Sequence, residues 1–409
     1  MRLRYVGLVA VAMAFVAGFA RAADWPQILG PKRDGQSAET KLHFTWGKDG
    51  PKIAWSKDVG TGWAGVVTAA GKAYLFHRTE GKETLVALDP ATGRELWKYD
   101  YPAKYRDNFQ FDDGPRATPT VADGRAFILG ANGDLHAVDA KSGEKIWHRN
   151  ILTDYEIDKG YFGVASSPLV VGDKLIVNVG AKGAGVVAFD VATGKEAWKT
   201  SDDGPSYSSP TVAEIDGKKL AIAFTRRGLV GVNVETGTAM FDLPWRSRLD
   251  ASVNASTPLV RGSEIFLTSS YATGAILLKA NGKILEEIWS NDTSLSCQYN
   301  TPVLIGDELY GTDGRADFGT GRLRCIDWKT GTVKWSRDRF GCAGLIAVDG
   351  KILAVTEAGE LVTFEPNPAK YVELARAKIL DGKVRSTPSF SDGRLFARDE
   401  KKLVAVNLK

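Results

Sequence analysis

The sequence predicts an all-β protein, an eight-bladed β-propeller built from four-stranded antiparallel blades. Three observations carry this prediction: a turn that recurs ahead of a large aromatic residue, a short opening motif present in eight copies, and a C-terminal unit that lacks its last strand. A period of roughly 40–50 residues with one strand-turn-strand signature per unit is typical of propellers.

The recurrent aromatic residues follow a tight turn, and the clearest turns read Asp-x-x-Thr-Gly or Asp-x-x-Ser-Gly. The aromatic residues are Trp97, Trp147, Trp198, Phe241, Trp289 and Trp335, spaced 43 to 51 residues apart. A repeat protein needs equivalent packing anchors between neighbouring units. We therefore interpret these side chains as blade-to-blade anchors rather than as stacking platforms for a ligand.

Each unit begins with an opening motif, and in six copies this motif places Ser or Thr before Pro. The six begin at Ala117, Ser166, Ser208, Ser256, Asn300 and Ser386, and degenerate copies begin at Ala64 and Ala343. A Gly turn such as Asp123-Gly124 follows most openers, and Asp-Gly between apolar runs is a strong hairpin signal. Eight openers indicate eight blades.

The ring requires a strand from the N-terminal region to close it. The last unit ends at Leu403-Val-Ala-Val-Asn-Leu-Lys409 without a fourth strand, while Lys52-Ile-Ala-Trp55-Ser precedes the first opener. Because an open ring would expose two sheet edges, we expect the strand near Trp55 to complete the last blade. The predicted domains are a signal peptide at 1–22, a leader segment at 23–51 and the propeller at 52–409.

The first 22 residues have the pattern of a secretory signal peptide. Arg2 and Arg4 precede an apolar run, and Ala20-Arg21-Ala22 offers a cleavage site. The run is too short for a membrane span, and no Cys follows the site to carry a lipid anchor. We expect a periplasmic or secreted protein with no membrane span and no lipid anchor.

The charge balance gives no support to nucleic-acid binding. The chain has 53 Lys and Arg against 49 Asp and Glu, and three of the arginines belong to the predicted signal peptide. The four histidines lie far apart in sequence, so we expect no metal site. We also expect a monomer.

The three cysteines leave two possibilities open. Cys297, Cys325 and Cys342 are distant in sequence and odd in number, so they are either buried free thiols or one pair with a leftover.

The loops that join one blade to the next differ greatly in length and carry many aromatic residues, whereas the turns on the opposite face are uniform. The residues singled out in these loops are Tyr105, Phe109, Tyr161, Trp245 and Arg246. The segment from Asp313 to Gly321 is expected on the same face. Divergent loops on a rigid scaffold commonly carry function.

The residue before each opener is expected to line the central funnel on this face. The candidate binding residues are Trp63, Arg116, Tyr207, Tyr299 and Arg385. Two arginines and three aromatic rings suit an anionic or planar ligand, or a partner peptide. The alternative is that these side chains plug the funnel and pair with Asp112, Asp113 or Asp250.

The openers, the Asp-turn-Trp units and the blade count together resemble the pyrroloquinoline-quinone-like repeat propellers, and the resemblance covers residues 24 to 409. The segment from Asp24 to Gly35 is similar to the start of many exported bacterial proteins of this type. The superfamily includes quinoprotein alcohol dehydrogenases and the propeller lipoprotein of the outer-membrane β-barrel assembly machinery. The resemblance implies that a dehydrogenase would hold its quinone with an adjacent-cysteine disulfide, a stacking Trp and calcium, and this chain has no adjacent cysteines.

No catalytic motif emerges, and three hypotheses follow. The leading one is an exported non-catalytic propeller that binds a partner protein or an extended ligand on its variable-loop face, with no cofactor. The second is a quinone-dependent dehydrogenase, which would require pyrroloquinoline quinone and calcium. The third is a carbohydrate-binding propeller that uses Tyr and Trp of the long loops, Trp245 among them.

Overall fold

The computed structural model describes residues 24–249 and 252–409, so the predicted signal peptide lies outside the described residues. Eight antiparallel sheets of four strands make up this part of the chain, and one of them gains a short fifth strand. The predicted eight-bladed propeller is confirmed. No helix in the described ranges is both long and apolar enough to cross a membrane.

Each blade runs from an inner strand beside the central axis to an outer strand, in chain order. Blade 1 consists of strands Val67–Ala69, Lys72–Thr79, Lys82–Leu88 and Glu95–Pro102, and blade 2 consists of Thr120–Ala122, Arg125–Leu129, Asp134–Asp139 and Lys145–Asn150. Blade 3 consists of Leu169–Val171, Lys174–Ala181, Ala184–Asp190 and Glu196–Thr200, and blade 4 consists of Thr211–Ile215, Lys218–Phe224, Gly228–Asn233 and Ala239–Pro244.

The second half of the ring repeats this plan, with blade 8 taking its outer strand from the N-terminal region. Blade 5 consists of strands Leu259–Arg261, Glu264–Ser269, Gly274–Asn281 and Ile284–Asn291, and blade 6 consists of Val303–Ile305, Glu308–Asp313, Arg322–Asp327 and Val333–Arg337. Blade 7 consists of Ala343–Val348, Lys351–Thr356, Glu360–Phe364 and Glu373–Lys378, and blade 8 consists of Ser389–Ser391, Arg394–Arg398, Lys402–Asn407 and Lys52–Asp58. Two short helices, Ile151–Asp154 and Ala316–Phe318, lie in the loops.

The ring closes as the sequence predicts. Strand Lys52–Asp58 pairs antiparallel with Lys402–Asn407, with Lys52 opposite Asn407 and Asp58 opposite Lys402. The Trp55 ring packs 6.0 Å from that of Phe396 in the same blade. The first and last parts of the propeller are therefore joined in one sheet, and the open edge is removed.

The repeated tryptophans are packing anchors between neighbouring blades. The indole N–H of Trp198 donates to the Val234 carbonyl at 2.7 Å, and that of Trp147 donates to Val191 at 3.1 Å. A Cβ built on Gly237 of the next turn would come within 2.7 Å of the Trp198 ring. The turn therefore needs Gly both for its positive φ of 71° and for close approach of the indole.

The Ser or Thr of the openers couples the inner strands of adjacent blades. The Thr118 hydroxyl accepts from the Gly65 N–H at 2.9 Å, and the Ser167 hydroxyl accepts from the Thr118 N–H at 2.9 Å. The Ser209 hydroxyl in turn accepts from the Ser167 N–H at 3.0 Å. Because Pro follows and donates no hydrogen bond, these side chains supply an inter-blade link that the backbone lacks.

Residues 24–51 form an N-terminal strap that crosses the ring on the face where the first and second strands of each blade turn. Trp25 pairs with Thr68 of blade 1, and the short strand Gln36–Ser37 runs parallel to Ala343–Val348 of blade 7. The Glu39 carboxylate accepts two backbone N–H bonds at 2.7 Å from the turn of blade 8. The strap therefore contacts blades 1, 7 and 8.

Arg33 of the strap is buried against the openers of neighbouring blades, with 1% of its surface exposed. Its guanidinium donates to the Pro210 carbonyl at 2.6 Å, to the Ser167 carbonyl at 3.3 Å and to the Pro168 carbonyl. Burial lowers the pKa of Arg33 to about 9. These bonds attach the strap to blades 3 and 4.

Candidate functional site

The opposite face, here called the loop face, carries the connections between blades. One of the two longest, residues 103–119, follows blade 1 and folds around the buried Asp107. One Asp107 oxygen accepts from the Phe109 N–H at 3.1 Å, and the other accepts from the N–H groups of Phe111 at 3.1 Å and Asp112 at 3.2 Å. The carboxylate fixes the loop backbone, and Phe109 and Phe111 remain about half exposed, at 48% each.

Arg116, one of the predicted funnel residues, is buried within this loop. It forms an ion pair with Asp107 at 3.1 Å and donates to the carbonyls of Asp112 at 2.8 Å and Gly114 at 3.0 Å. Its guanidinium also lies 4.5 Å from the centre of the Trp63 ring. Asp107 is thus the partner, rather than the carboxylates of Asp112 or Asp113, and Asp250 lies outside the described residues. Arg116 supports the loop from inside.

Arg385, the second predicted arginine, has a different environment. Its guanidinium lies 4.7 Å from the centre of the Trp63 ring and 5.1 Å from that of Phe111. Within the described ranges it makes these two ring contacts and no hydrogen bond or ion pair. A half-buried guanidinium held over aromatic rings keeps its planar donor fork available for a carboxylate.

Two aromatic funnel residues offer polar atoms without partners. The Tyr299 hydroxyl and the Trp63 indole nitrogen are both buried, and neither finds a hydrogen-bond partner among the described residues. Burial holds the pKa of Tyr299 well above its usual value. Buried polar atoms are nearly always bonded in native proteins, so these two are suited to a bound group or ordered water.

Tyr207 joins the funnel to the neighbouring loop. Its hydroxyl accepts from the Phe162 N–H at 3.0 Å, and the two rings meet edge to face at 5.7 Å. Burial raises the pKa of Tyr207. Tyr207 therefore positions Phe162 rather than presenting a free hydroxyl.

Four rings from two inter-blade loops form a continuous aromatic patch on the loop face: Phe109, Phe111, Tyr161 and Phe162. The Phe109 centroid lies 5.1 Å from Phe162 and 6.4 Å from Tyr161, and Phe111 lies 6.1 Å from Phe109. Tyr161 is exposed like the two phenylalanines. Phe111 at the edge of the patch contacts Arg385, so the apolar surface lies directly beside the guanidinium group.

The remaining predicted loop residues lie apart from this patch or beneath it. Tyr105 is fully buried and packs 5.1 Å from the Arg116 guanidinium. The Trp245 ring packs 5.8 Å from Phe224 at the edge of blade 4. Arg246 is exposed and lines a separate cleft of about 500 Å³ with Lys182, Asp202 and Arg227.

A second cleft, of about 520 Å³, lies between blades 5 and 6 beside the predicted loop at 313–321. The Arg315 guanidinium lies 4.5 Å from the centre of the Tyr271 ring, and Asp313 pairs with Arg322 at 2.7 Å and with Arg324 at 3.3 Å. The acidic group neutralises part of the positive charge that lines this cleft.

All three cysteines are buried and free. Burial raises the pKa of Cys325 to about 11 and that of Cys342 to about 12, and it raises the pKa of Cys297 further. At neutral pH these groups are thiols, which are poor nucleophiles. Of the two possibilities left open by the sequence, free buried thiols are the one observed.

The inter-blade hydroxyl bonds, tryptophan anchors and closed eight-blade ring define a pyrroloquinoline-quinone-like repeat propeller. The chain belongs to the family described as outer membrane protein assembly factor BamB, whose model matches residues 48–153, 110–337 and 320–409. The predicted superfamily is thereby confirmed.

Individual relatives divide into assembly factors and dehydrogenases. The outer membrane protein assembly factor BamB of Shewanella oneidensis is 24% identical over 369 residues, covering 76% of this chain and 88% of that protein. The quinohemoprotein alcohol dehydrogenase ADH-IIG of Pseudomonas putida is 32% identical over 118 residues, covering 28% of this chain and 16% of that enzyme. The match to the assembly factor spans most of both chains, and the match to the dehydrogenase is local.

The solved structures show the same architecture. The crystal structure of BamB from Moraxella catarrhalis superposes with a TM-score of 0.62 at 15% identity, covering 88% of this chain and 98% of that one. The quinohemoprotein alcohol dehydrogenase of Comamonas testosteroni gives a TM-score of 0.63, also at 15% identity, covering 95% of this chain and 81% of that one. At this identity the likeness establishes the fold and does not distinguish the two functions.

Proposed function

We propose that this chain is an exported, non-catalytic propeller that binds a partner protein in the assembly of outer-membrane proteins, and that it acts in the periplasm. The family match and the long alignment to an assembly factor support this role. The observation that carries the proposal is the aromatic patch of the loop face with the unpaired Arg385 at its edge.

The chemistry of the patch defines the partner segment that it would accept. Exposed aromatic rings and a desolvated arginine are the side chains most often found as energetic hot spots of protein interfaces. A partner segment with an apolar side chain over Phe109 and Phe111 and a carboxylate at Arg385 would satisfy both. Asp107 already holds the loop in place, so little conformational entropy would be lost on binding.

The dehydrogenase alternative is disfavoured by the residues of the chain. The resemblance ties quinone binding to a disulfide between adjacent cysteines, whereas Cys297, Cys325 and Cys342 are far apart in sequence, free and buried. The cofactor's expected clamp therefore has no counterpart. For the carbohydrate alternative, the Trp245 ring packs against Phe224 and is only partly exposed.

The test is site-specific photo-crosslinking in cells of the native host, with a photoreactive phenylalanine analogue at position 111. We expect a discrete adduct with a protein of the outer-membrane assembly machinery, identified by mass spectrometry. Arg385→Ala should weaken the purified complex by about 2 kcal/mol, or roughly thirtyfold, as expected for a hot-spot arginine.

Two matched variants control this experiment. Arg248→Ala removes an exposed arginine from a different inter-blade loop and should leave the affinity unchanged. The analogue at Ile284, an exposed position on an outer strand, should give no adduct. Equal adducts at positions 111 and 284, or an affinity indifferent to Arg385→Ala, would refute the proposed surface.

A further inference from the structure

A cluster of metal-ligating side chains lies in blade 2, on the side that faces blade 1. His136 of strand Asp134–Asp139 and His148 of strand Lys145–Asn150 are direct cross-strand partners. Asp134 precedes His136 by two residues, so its side chain emerges on the same face of the sheet. Antiparallel pairing thus brings together three residues of the types that bind transition metals.

The distances suit a single site. The two imidazole rings stack with centroids 4.3 Å apart, and His148 Nε2 lies 3.0 Å from Asp134 Oδ1. One ligand atom from each of the three residues lies within 4.8 Å of the others. Ligands at about 2.1 Å from a tetrahedral ion are roughly 3.4 Å apart, so small side-chain rotations would bring the three ligand atoms to coordinating distance.

His136 has one ring nitrogen engaged and one without a partner. Its Nδ1 lies 2.9 Å from the Tyr99 hydroxyl of blade 1, while its Nε2 is buried without a hydrogen-bond partner among the described residues. The residue is 97% buried, with 3% of its surface exposed. When Nδ1–H donates to Tyr99, Nε2 carries a free lone pair, which is the usual outer-shell arrangement of a metal-binding histidine.

We propose that His136 Nε2, His148 and Asp134 bind a divalent transition-metal ion of the Zn²⁺ class. Two imidazole nitrogens and one carboxylate oxygen favour Zn²⁺ or its neighbours over Ca²⁺ and Mg²⁺, which prefer all-oxygen shells. The His148 ring is partly exposed, so an ion can enter from solvent and keep water in an open position. None of the three residues belongs to the aromatic patch, so this site is independent of the proposed partner binding.

Isothermal titration of the untagged, EDTA-treated and dialysed protein with ZnCl₂ tests the proposal. We expect one equivalent to bind, with at least tenfold weaker affinity in His148→Ala and in the isosteric Asp134→Asn. His43→Ala removes an exposed histidine of the strap and should bind Zn²⁺ like the parent protein. Replacement by Co²⁺ should give visible absorption bands that His148→Ala abolishes.

Thermal melting keeps the test independent of folding defects. Zn²⁺ should raise the melting temperature of the parent protein and of His43→Ala, and it should leave that of His148→Ala unchanged. The proposal fails if the parent binds no Zn²⁺, or if folded His148→Ala and Asp134→Asn bind it as tightly as the parent.

Discussion

The two faces of the ring are built on the same strands, yet they use similar residues in opposite ways. On the strap face, Arg33 donates its guanidinium hydrogens to backbone carbonyls of blades 3 and 4 and is fully buried. On the loop face, Arg385 rests on Trp63 and Phe111 and keeps its donors unpaired within the described ranges. Arg33 thus has its donors satisfied inside the protein, whereas those of Arg385 have no hydrogen-bond partner among the described residues.

Arg116 shows that position around the funnel does not by itself decide between these uses. It lies against the same Trp63 ring as Arg385, but the buried Asp107 neutralises it. Two arginines at equivalent places in the repeat therefore differ in role because one inter-blade loop supplies a carboxylate. The comparison predicts that substitutions in the anchors and the strap change stability, while substitutions at the patch change binding.

The largest effect should come from an inter-blade anchor. Trp198→Ala removes a buried indole, its bond to the Val234 carbonyl and its packing on Gly237, and should lower the unfolding free energy by about 3–5 kcal/mol. Urea denaturation of the purified protein measures this change. Trp63→Ala on the loop face is the matched control, and we expect less than half the loss. Equal losses of unfolding free energy in the two variants would contradict the different roles assigned to the anchors and the loop face.

A smaller stability effect is expected at the strap. Arg33→Met leaves the buried carbonyl of Pro210 without its donor and removes one of the two donors to the Pro168 carbonyl, which keeps the Thr120 hydroxyl, so the free energy of unfolding should fall by about 1–3 kcal/mol. Limited proteolysis should then cut residues 24–51 faster than in the parent protein. Arg385→Met should stay within about 0.5 kcal/mol of the parent, as surface changes do. A greater loss for Arg385→Met than for Arg33→Met would contradict the comparison.

The fold could be predicted because the same short sequence signals recur in nearly every blade. The Trp anchors, the Ser/Thr-Pro openers and the unpaired strand at Trp55 each report a local contact between neighbouring units, and the structure confirms the closed ring. The opener rule also brought Trp63, Arg116 and Arg385 to one place, where their mutual contacts are 4.5 and 4.7 Å.

The hydrogen-bond and ion-pair partners of the arginines, and the pairing of the histidines, could not be predicted. These contacts do not recur from one repeat to the next. Arg33 reaches carbonyls 134 to 177 residues away, through a strap that has no repeat of its own. Asp107 shapes a loop whose length is unique to one blade junction. The histidines looked scattered in sequence, and only the register of strands Asp134–Asp139 and Lys145–Asn150 places His136 opposite His148.

A third stability effect depends on pH and arises at the joint where the strand near Trp55 leads into blade 1. The Gly60 N–H donates to Nδ1 of His77 at 2.8 Å, and burial, with Arg398 and Lys57 nearby, lowers the pKa of His77 to about 4. The unfolded chain takes up this proton near pH 6.5, whereas the folded protein resists it until about pH 4. Stability should therefore be fully present above pH 6.5 and decline as the pH falls towards 4.

The contribution of His77 to that decline is at most about 1.4 kcal/mol per pH unit, the value for one proton. His77→Asn keeps an acceptor for the Gly60 N–H and cannot titrate, so its urea midpoints between pH 6.5 and 4 should fall less steeply than those of the parent. His43→Asn, an exposed control, should keep the parental slope. If His77→Asn also keeps that slope, the acid sensitivity of the molecule arises from groups other than His77.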